Sequence, residues 1–255
     1  MLGVFHTEMR ITIVGSGDAF GTGGRAHTCI KIDSSDATTV VDFGAGSIGA
    51  WKKLGLRFDC VDAIVVSHLH GDHFGGLPFL LLDCQFGEHR TKPLNLIGPP
   101  GLARALDLAL DVLFPRVRET LWSFPWTVEE IPARRRVKAS GFTIETFEVR
   151  HISWGLATGV RLEDGEKTFA YSGDTAWTDT LVELTRDADL CLVECFSGDG
   201  PVPNHMDWPT LEANLPRFSA KQTVITHMGQ SALARRAEME KAGLVLAYDG
   251  QIHEL

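Results

Sequence analysis

Several absences bound what this 255-residue chain is. No apolar run approaches the ~20 residues that a membrane-spanning helix requires, so no membrane partner is expected. Residues 1–10 lack a basic segment followed by an apolar stretch, so no secretory signal is expected there, and Met9 is an alternative start. Cysteine is sparse. Cys29, Cys60, Cys84, Cys191 and Cys195 are odd in number, scattered, and form no Cys-x-x-Cys pair, which excludes a zinc ribbon. Most sit beside apolar residues, as buried free thiols do, and a reducing, cytoplasmic compartment is the simplest expectation. Positive charge is in deficit, with 24 Lys+Arg against 33 Asp+Glu and a net charge of -9. That balance argues against nucleic acid bound by bulk electrostatics. The one basic run, Arg134-Arg135-Arg136-Val137-Lys138, reads as a solvated turn before a strand. Linkers, repeats and low-complexity stretches are missing too, and the expectation is one domain over residues 1–255.

What is present fits an ordinary globular core, with 44% hydrophobic and 22% charged residues. Short β-branched runs predict strands at 10–14, 29–33, 38–43, 61–66 and 94–97, and helical spacing follows at 102–113. The second half repeats the pattern. Strands are expected at 142–149, 156–162, 168–172, 190–195, 223–226 and 244–248, with helices at 178–186, 209–215 and 232–242. Each half runs strands first and helices later, which suits two packed sheets with helices outside.

The ten histidines carry the chemistry. Val65-Val66-Ser67-His68-Leu69-His70-Gly71-Asp72-His73 begins where a buried strand ends. His68 and His70, two apart in extended backbone, point to one side. Gly71 is expected to turn the chain, so that Asp72 and His73 face the same cavity from a helix start. An exposed polar turn would be the bland explanation, but the flanking Val65-Val66 and Phe74-Gly75-Gly76-Leu77 are apolar. Imidazoles and carboxylates buried there need partners or metal. His151, Asp174 and His227 each follow an apolar strand. Singly they read as strand-end residues; together they complete five histidines and two aspartates. This cysteine-free donor set suits zinc, and manganese and iron are compatible with it.

His68-x-His70-x-Asp72-His73, followed by a lone His, an Asp and a final His, resembles the metallo-β-lactamase superfamily over nearly the whole chain. The resemblance implies an αββα four-layer sandwich, two mixed β-sheets with helices outside, and a two-metal site at one edge. By that resemblance His68, His70 and His151 hold the first metal, Asp72, His73 and His227 the second, and Asp174 bridges them. His70, where diiron-oxygen members carry an acidic residue, points to hydrolysis.

Further motifs resemble the tRNA 3′-processing endonuclease and phosphodiesterase branch: Ile13-Val14-Gly15-Ser16-Gly17, Gly23-Gly24-Arg25-Ala26-His27-Thr28, Asp42-Phe43-Gly44-Ala45-Gly46, Phe74-Gly75-Gly76-Leu77-Pro78, and Leu192-Val193-Glu194-Cys195 followed by His205. The glycine spacing is not that of a dinucleotide loop and reads as a structural turn near the metals. The branch's tRNA-cutting members carry a long basic arm between the third His and the bridging Asp. Here His151 and Asp174 are joined by little more than a hairpin, and Met228-Gly229-Gln230 replaces the aromatic and basic residues expected after the last His.

The expected function is therefore a dinuclear hydrolase of a small phosphodiester, a nucleotide or cyclic phosphate. Hydrolysis of a carboxylic ester, lactone, sulfate ester or thioester, tRNA 3′-processing, and a noncatalytic binding role are the alternatives. Two divalent metals, zinc foremost, would lower the pKa of water to roughly 7 and share a hydroxide between them. Asp72 counts among the catalytic residues as well as the ligands. His205 is the expected proton donor to the leaving oxygen, oriented by Glu194. Asp42 is expected to orient a metal-bound His from behind, though a plain strand-end turn would explain it as well. His27 is a candidate to touch substrate, while His6, His89 and His253 read as surface residues. Trp154 and Trp177 either wall the pocket or pack in the core. Relatives imply a homodimer.

Overall fold

A computed structural model describes residues 9–255; His6 lies outside the described residues. Among the described residues, fourteen strands form two seven-stranded mixed sheets. The first contains β1 (Arg10–Gly15), β2 (Cys29–Asp33), β3 (Thr38–Phe43), β4 (Ala63–Val65), β5 (Leu94–Gly98), β6 (Trp126–Glu130) and, from the far end of the chain, β14 (Gln251–Glu254). The second contains β7 (Arg136–Ala139), β8 (Phe142–Glu148), β9 (Thr158–Glu163), β10 (Thr168–Tyr171), β11 (Leu190–Glu194), β12 (Thr223–Thr226) and β13 (Val245–Leu246). Their orders are β14-β1-β2-β3-β4-β5-β6 and β13-β12-β11-β10-β9-β8-β7.

Alternation of side chains builds the layers. Ile11, Ile13, Val41, Ala63 and Val65 on the first sheet meet Ile144, Val160, Leu162, Phe169 and Leu192 on the second in one buried cluster. The opposite face of the first sheet offers Val40, Ile64, Val66 and Leu96 to α1 (Ser47–Lys53), α3 (Leu77–Leu82) and α4 (Leu102–Leu113). The outer face of the second presents Ala170, Cys191, Val193 and Ile225 to α5 (Thr180–Leu184), α6 (Trp208–Asn214), α7 (Gln230–Ala234) and α8 (Arg236–Lys241). A short α2 (Gly71–Phe74) follows β4. Strands apolar on both faces between two helix layers give the expected αββα order. No described helix is long and apolar enough to cross a membrane.

Some details depart from the sequence expectations. The basic run is not only a turn: Arg136–Ala139 is β7, held at the sheet edge because Arg136 lies opposite Glu145 and pairs with Glu163 at 2.6 Å. The helix expected at 232–242 is two helices, broken at Arg235, where the backbone leaves helical geometry. The strand expected at 244–248 shortens to Val245–Leu246, and an unexpected strand, β14, follows it.

The topology fixes where function can sit. β3, β4 and β5 run parallel, as do β10, β11 and β12. The loops leaving their carboxyl ends therefore gather at one edge of the sandwich, where open α/β sheets form ligand crevices.

Candidate metal centre

Every one of the expected ligands comes to that edge. His68 leaves β4, Asp72 and His73 open α2, His151 follows β8, Asp174 follows β10 and His227 follows β12. Ligand atoms of His68, His70 and His151 lie within 4.8 Å of one another, and so do those of Asp72, His73, Asp174 and His227. Asp174 joins the two groups: its carboxylate is 3.8 Å from His68 Nε2, 3.3 Å from His73 Nε2 and 3.4 Å from His227 Nε2. Asp72 Oδ2 is 3.2 Å from both His73 Nε2 and His227 Nε2.

Local backbone explains this convergence. His70 is extended and α2 starts immediately after it, which swings Asp72 and His73 inward. Gly71 does not supply the turn that was expected of it; a Cβ there would meet open space. The glycine the site requires is Gly173, in left-handed backbone with φ +62, where a Cβ would lie 2.5 Å from Thr158 O. His227 itself has φ 55, a conformation uncommon for a non-glycine residue and found preferentially at functional positions.

The carboxylates and imidazoles split electrostatically. Burial and the neighbouring His73 push His68 well below its usual value, and burial lowers His70 and His151, so these rings are neutral and have lone pairs to give. Burial opposes charge on His73 and His227, but Asp174 and Asp72 outweigh it, raising His73 well up and His227 to about 9. Burial likewise opposes ionisation of Asp72 and Asp174, and the histidines more than offset it, so both stay ionised. Two buried carboxylates thus demand positive charge. His68 Nε2, His73 Nε2, Asp174 Oδ1 and His227 Nδ1 are buried without hydrogen-bond partners. The orphaned His68 Nε2, His73 Nε2 and Asp174 Oδ1, within a His/Asp cage, fit divalent cations.

A second layer fixes the rings. Asp42 lies 2.7 Å from His73 Nδ1 and accepts from the backbone N–H and hydroxyl of Ser67, at 2.7 Å each. Asp42 thus holds the His73 ring through Nδ1 and leaves Nε2 facing the cluster. Ser67 Oγ meets His68 Nδ1 at 3.0 Å, and His151 Nδ1 donates to Asn204 O at 2.8 Å. His205 Nδ1 sits 3.2 and 3.3 Å from the two Glu194 oxygens. Glu194 is fully buried and also accepts from the Thr175 backbone N–H. Burial opposes charge on His205, but the Glu194 carboxylate outweighs it and raises its pKa. The His205 ring stacks over His227 and touches His151, so it borders both ligand groups.

Other expectations divide. The glycine-rich segment is a structural turn beside the cluster: Ser16 O accepts from His227 N, and only a three-residue 3-10 helix, Thr22–Gly24, follows. His27 Nδ1 accepts from Gly46 N, and nothing further assigns it to substrate. Trp177 stacks on Phe218, whereas Trp154 is half-exposed under Arg104. His89 is exposed, but His253 is half-buried on β14 with a buried, unpartnered Nε2. Cys29, Cys84, Cys191 and Cys195 are buried free thiols, and Cys60 is exposed. Asp249 escaped notice. It accepts from Ser16 N, Ser16 Oγ and Ala26 N and ties the glycine-rich turn to the chain's far end, a contact that no local motif announces.

The sandwich and the His/Asp cluster at its edge define a metallo-β-lactamase fold protein. The fold is shared with the metallo-beta-lactamase fold protein YhfI from Bacillus subtilis, at TM-score 0.77, 20% identity and coverage of 98% of this chain and 100% of that one. Human tRNase Z, short form, also superposes with TM-score 0.77, at 22% identity over 96% of this chain and 98% of that one. A diphosphatase from the PhnP family gives 0.77 at 19% identity, covering 97% and 98%. More particularly, the chain belongs to the family of the Anti-Pycsar protein Apyc1, whose sequence profile matches residues 9–249. Among curated relatives, Ribonuclease Z of Thermoplasma acidophilum is 31% identical over 233 residues, 73% of each chain. Ribonuclease Z of Agathobacter rectalis is 29% identical over 144 residues, 55% of this chain. That match and the one in Lachnospira eligens reach 45% and 48% of those proteins, so the chain spans about half the length of these relatives.

Proposed function

We propose that the protein is a metal-dependent phosphodiesterase acting on a small phosphodiester, a nucleotide or cyclic phosphate. One observation carries the reading: two groups of ligand-type side chains meet at a shared Asp174, with the paired His205 and Glu194 against both. His68, His70 and His151 would hold one divalent ion, Asp72, His73 and His227 the other, with Asp174 common to both; zinc suits this donor set. When bound, such a pair supplies Lewis acidity that makes water acidic near neutral pH and offsets charge on the phosphoryl oxygens.

The chain's own residues supply the rest. Asp42 holds the His73 ring so that Nε2 faces the cluster, beside the Asp72 carboxylate and His227 Nε2. Glu194 keeps His205 protonated, with Nδ1 engaged and Nε2 available. As the bond from phosphorus to the leaving oxygen breaks, His205 Nε2–H gives its proton to that oxygen, and the imidazole becomes neutral. Burial and Asp174 raise the Glu194 pKa, His205 offsets part of that, and the hydrogen bond from Nδ1 steadies the charged ring beforehand.

The curated Ribonuclease Z relatives favour a second reading, tRNA 3′-processing. Against it stand the net charge of -9 and the short connection from His151 to Asp174, which holds only the antiparallel β9–β10 hairpin. Metal-replete protein assayed against bis(p-nitrophenyl) phosphate, cyclic mononucleotides, a tRNA precursor, a lactone, a thioester and a sulfate ester separates these. Turnover of the small diesters is expected; turnover of a lactone, thioester or sulfate ester without any diester hydrolysis would overturn the reading.

A further inference from the structure

One aromatic side chain is left without a structural task. Phe20 is 81% exposed, although sheltering a side chain of this kind from water is worth roughly 1.5–3 kcal/mol. It stands on a turn that is firmly held. Asp18 accepts from Thr22 N at 2.8 Å and from Thr22 Oγ1 at 2.6 Å, and Gly17 N donates to Ala26 O at 2.7 Å. Ala26 N in turn donates to Asp249. A pinned loop that holds a bare phenyl ring in water is preorganised for contact, since little entropy remains to be lost there on binding.

Its position is specific. The Phe20 ring lies 6.4 Å from that of Phe196, tilted by 49°. Phe196 in turn lies 4.9 Å from the His205 ring and 6.4 Å from His227. A continuous run of ring faces therefore leads from solvent down to the proposed proton donor and a metal-ligand imidazole.

We infer that Phe20 and Phe196 form an aromatic step at the lip of the site, on which the substrate's nucleobase stacks while its phosphate meets the His/Asp cluster. The inference rests on the phosphodiesterase reading and narrows its substrate to diesters bearing a flat ring. Stacking on a ring face tolerates any base, because every base has a π-face; base identity is not read here. The step selects for a nucleoside over a plain alkyl group.

The test compares wild type, Phe20→Ala and Phe20→Tyr as zinc-replete full chains. Two substrates share p-nitrophenolate as leaving group: thymidine 5′-(p-nitrophenyl phosphate) and methyl p-nitrophenyl phosphate. Binding of thymidine 5′-monophosphate is measured separately by calorimetry. For Phe20→Ala the monophosphate is expected to bind about tenfold more weakly, equal to about 1.4 kcal/mol. The preference in kcat/KM for the nucleoside diester should shrink by a similar factor, with KM bearing the change. Phe20→Tyr, which keeps the ring, should restore both. Nucleotide binding and preference within twofold of wild type in Phe20→Ala would overturn the step, as would a change confined to self-association. If wild type cleaves neither diester, the phosphodiesterase reading fails, and the calorimetry alone decides the step: absence of nucleotide binding by wild type refutes it.

Discussion

Replacing Asp42 with asparagine is the sharpest internal probe of how the cluster is organised. Asn keeps the shape and tolerates the left-handed backbone at this position, φ 58, so the perturbation is confined to charge and donor pattern. In the wild type, Oδ1 takes Ser67 N–H while Oδ2 meets both Ser67 Oγ and His73 Nδ1. An amide has one acceptor. If its NH2 faces Ser67 N–H, two donors collide at 2.7 Å. If it faces His73, Nδ1 must become the acceptor and the proton moves to Nε2, the atom that would bind metal. Either arrangement removes a charge-assisted bond to a fully buried ring, worth roughly 1.5–3 kcal/mol. Losing such a partner behind a ligand typically costs about 10–100-fold in metal affinity, or about 1.4–2.7 kcal/mol. Competition with a chromophoric chelator measures it: Asp42→Asn should weaken the second zinc by that factor and leave the first within a few-fold. Wild-type affinity at both sites would refute the argument that Asp42 sets the His73 tautomer.

His205→Ala should lower kcat on the diester by about 10²–10⁴-fold while zinc content stays as in wild type; lost zinc would instead make His205 a ligand. Metal-free protein should lose stability as pH rises from about 6.5, the unfolded histidine value, through about 9, because His227 and His73 bind protons more tightly folded than unfolded. His68, His70 and His151 oppose this near pH 6.5, where only the unfolded chain still holds their protons, so the loss is read above about pH 7.5, where they are neutral in both states. Zinc-loaded protein should show no such loss, since its ligands must shed protons to bind; parallel melting curves against pH with and without a chelator check the difference. Gly76→Ala would put a Cβ 2.3 Å from Gly44 O, between α3 and the end of β3. It should destabilise by about 1–3 kcal/mol, read as a fall in Tm of roughly 2–4 °C per kcal/mol.

How much of this was legible depended on the range of each signal. β2, β3, α4 and β12 match their expected bounds because their periodicity is local and their ends are marked by turn residues. That the seven expected ligand residues would meet was legible because strand-end His and Asp after apolar runs carry an excess of buried polarity that packing alone does not explain. β6 and β7 were missed: both are edge strands with half-exposed or exposed faces, and β7 depends on cross-strand charge pairs. The short α1 and α3 fill gaps over the first sheet through contacts rather than strong periodicity. Asp249 reaches Ser16 across 233 positions, and the Phe20–Phe196 contact spans distant loops. Such meetings exist only once the sheets have closed.

The central claim is that two cations sit side by side across Asp174. Anomalous diffraction at the zinc edge from crystals grown with zinc tests it directly. Two peaks are predicted in each chain, one among His68, His70 and His151 and one among Asp72, His73 and His227, each within bonding distance of Asp174. A single peak, or peaks away from these residues, would contradict the account.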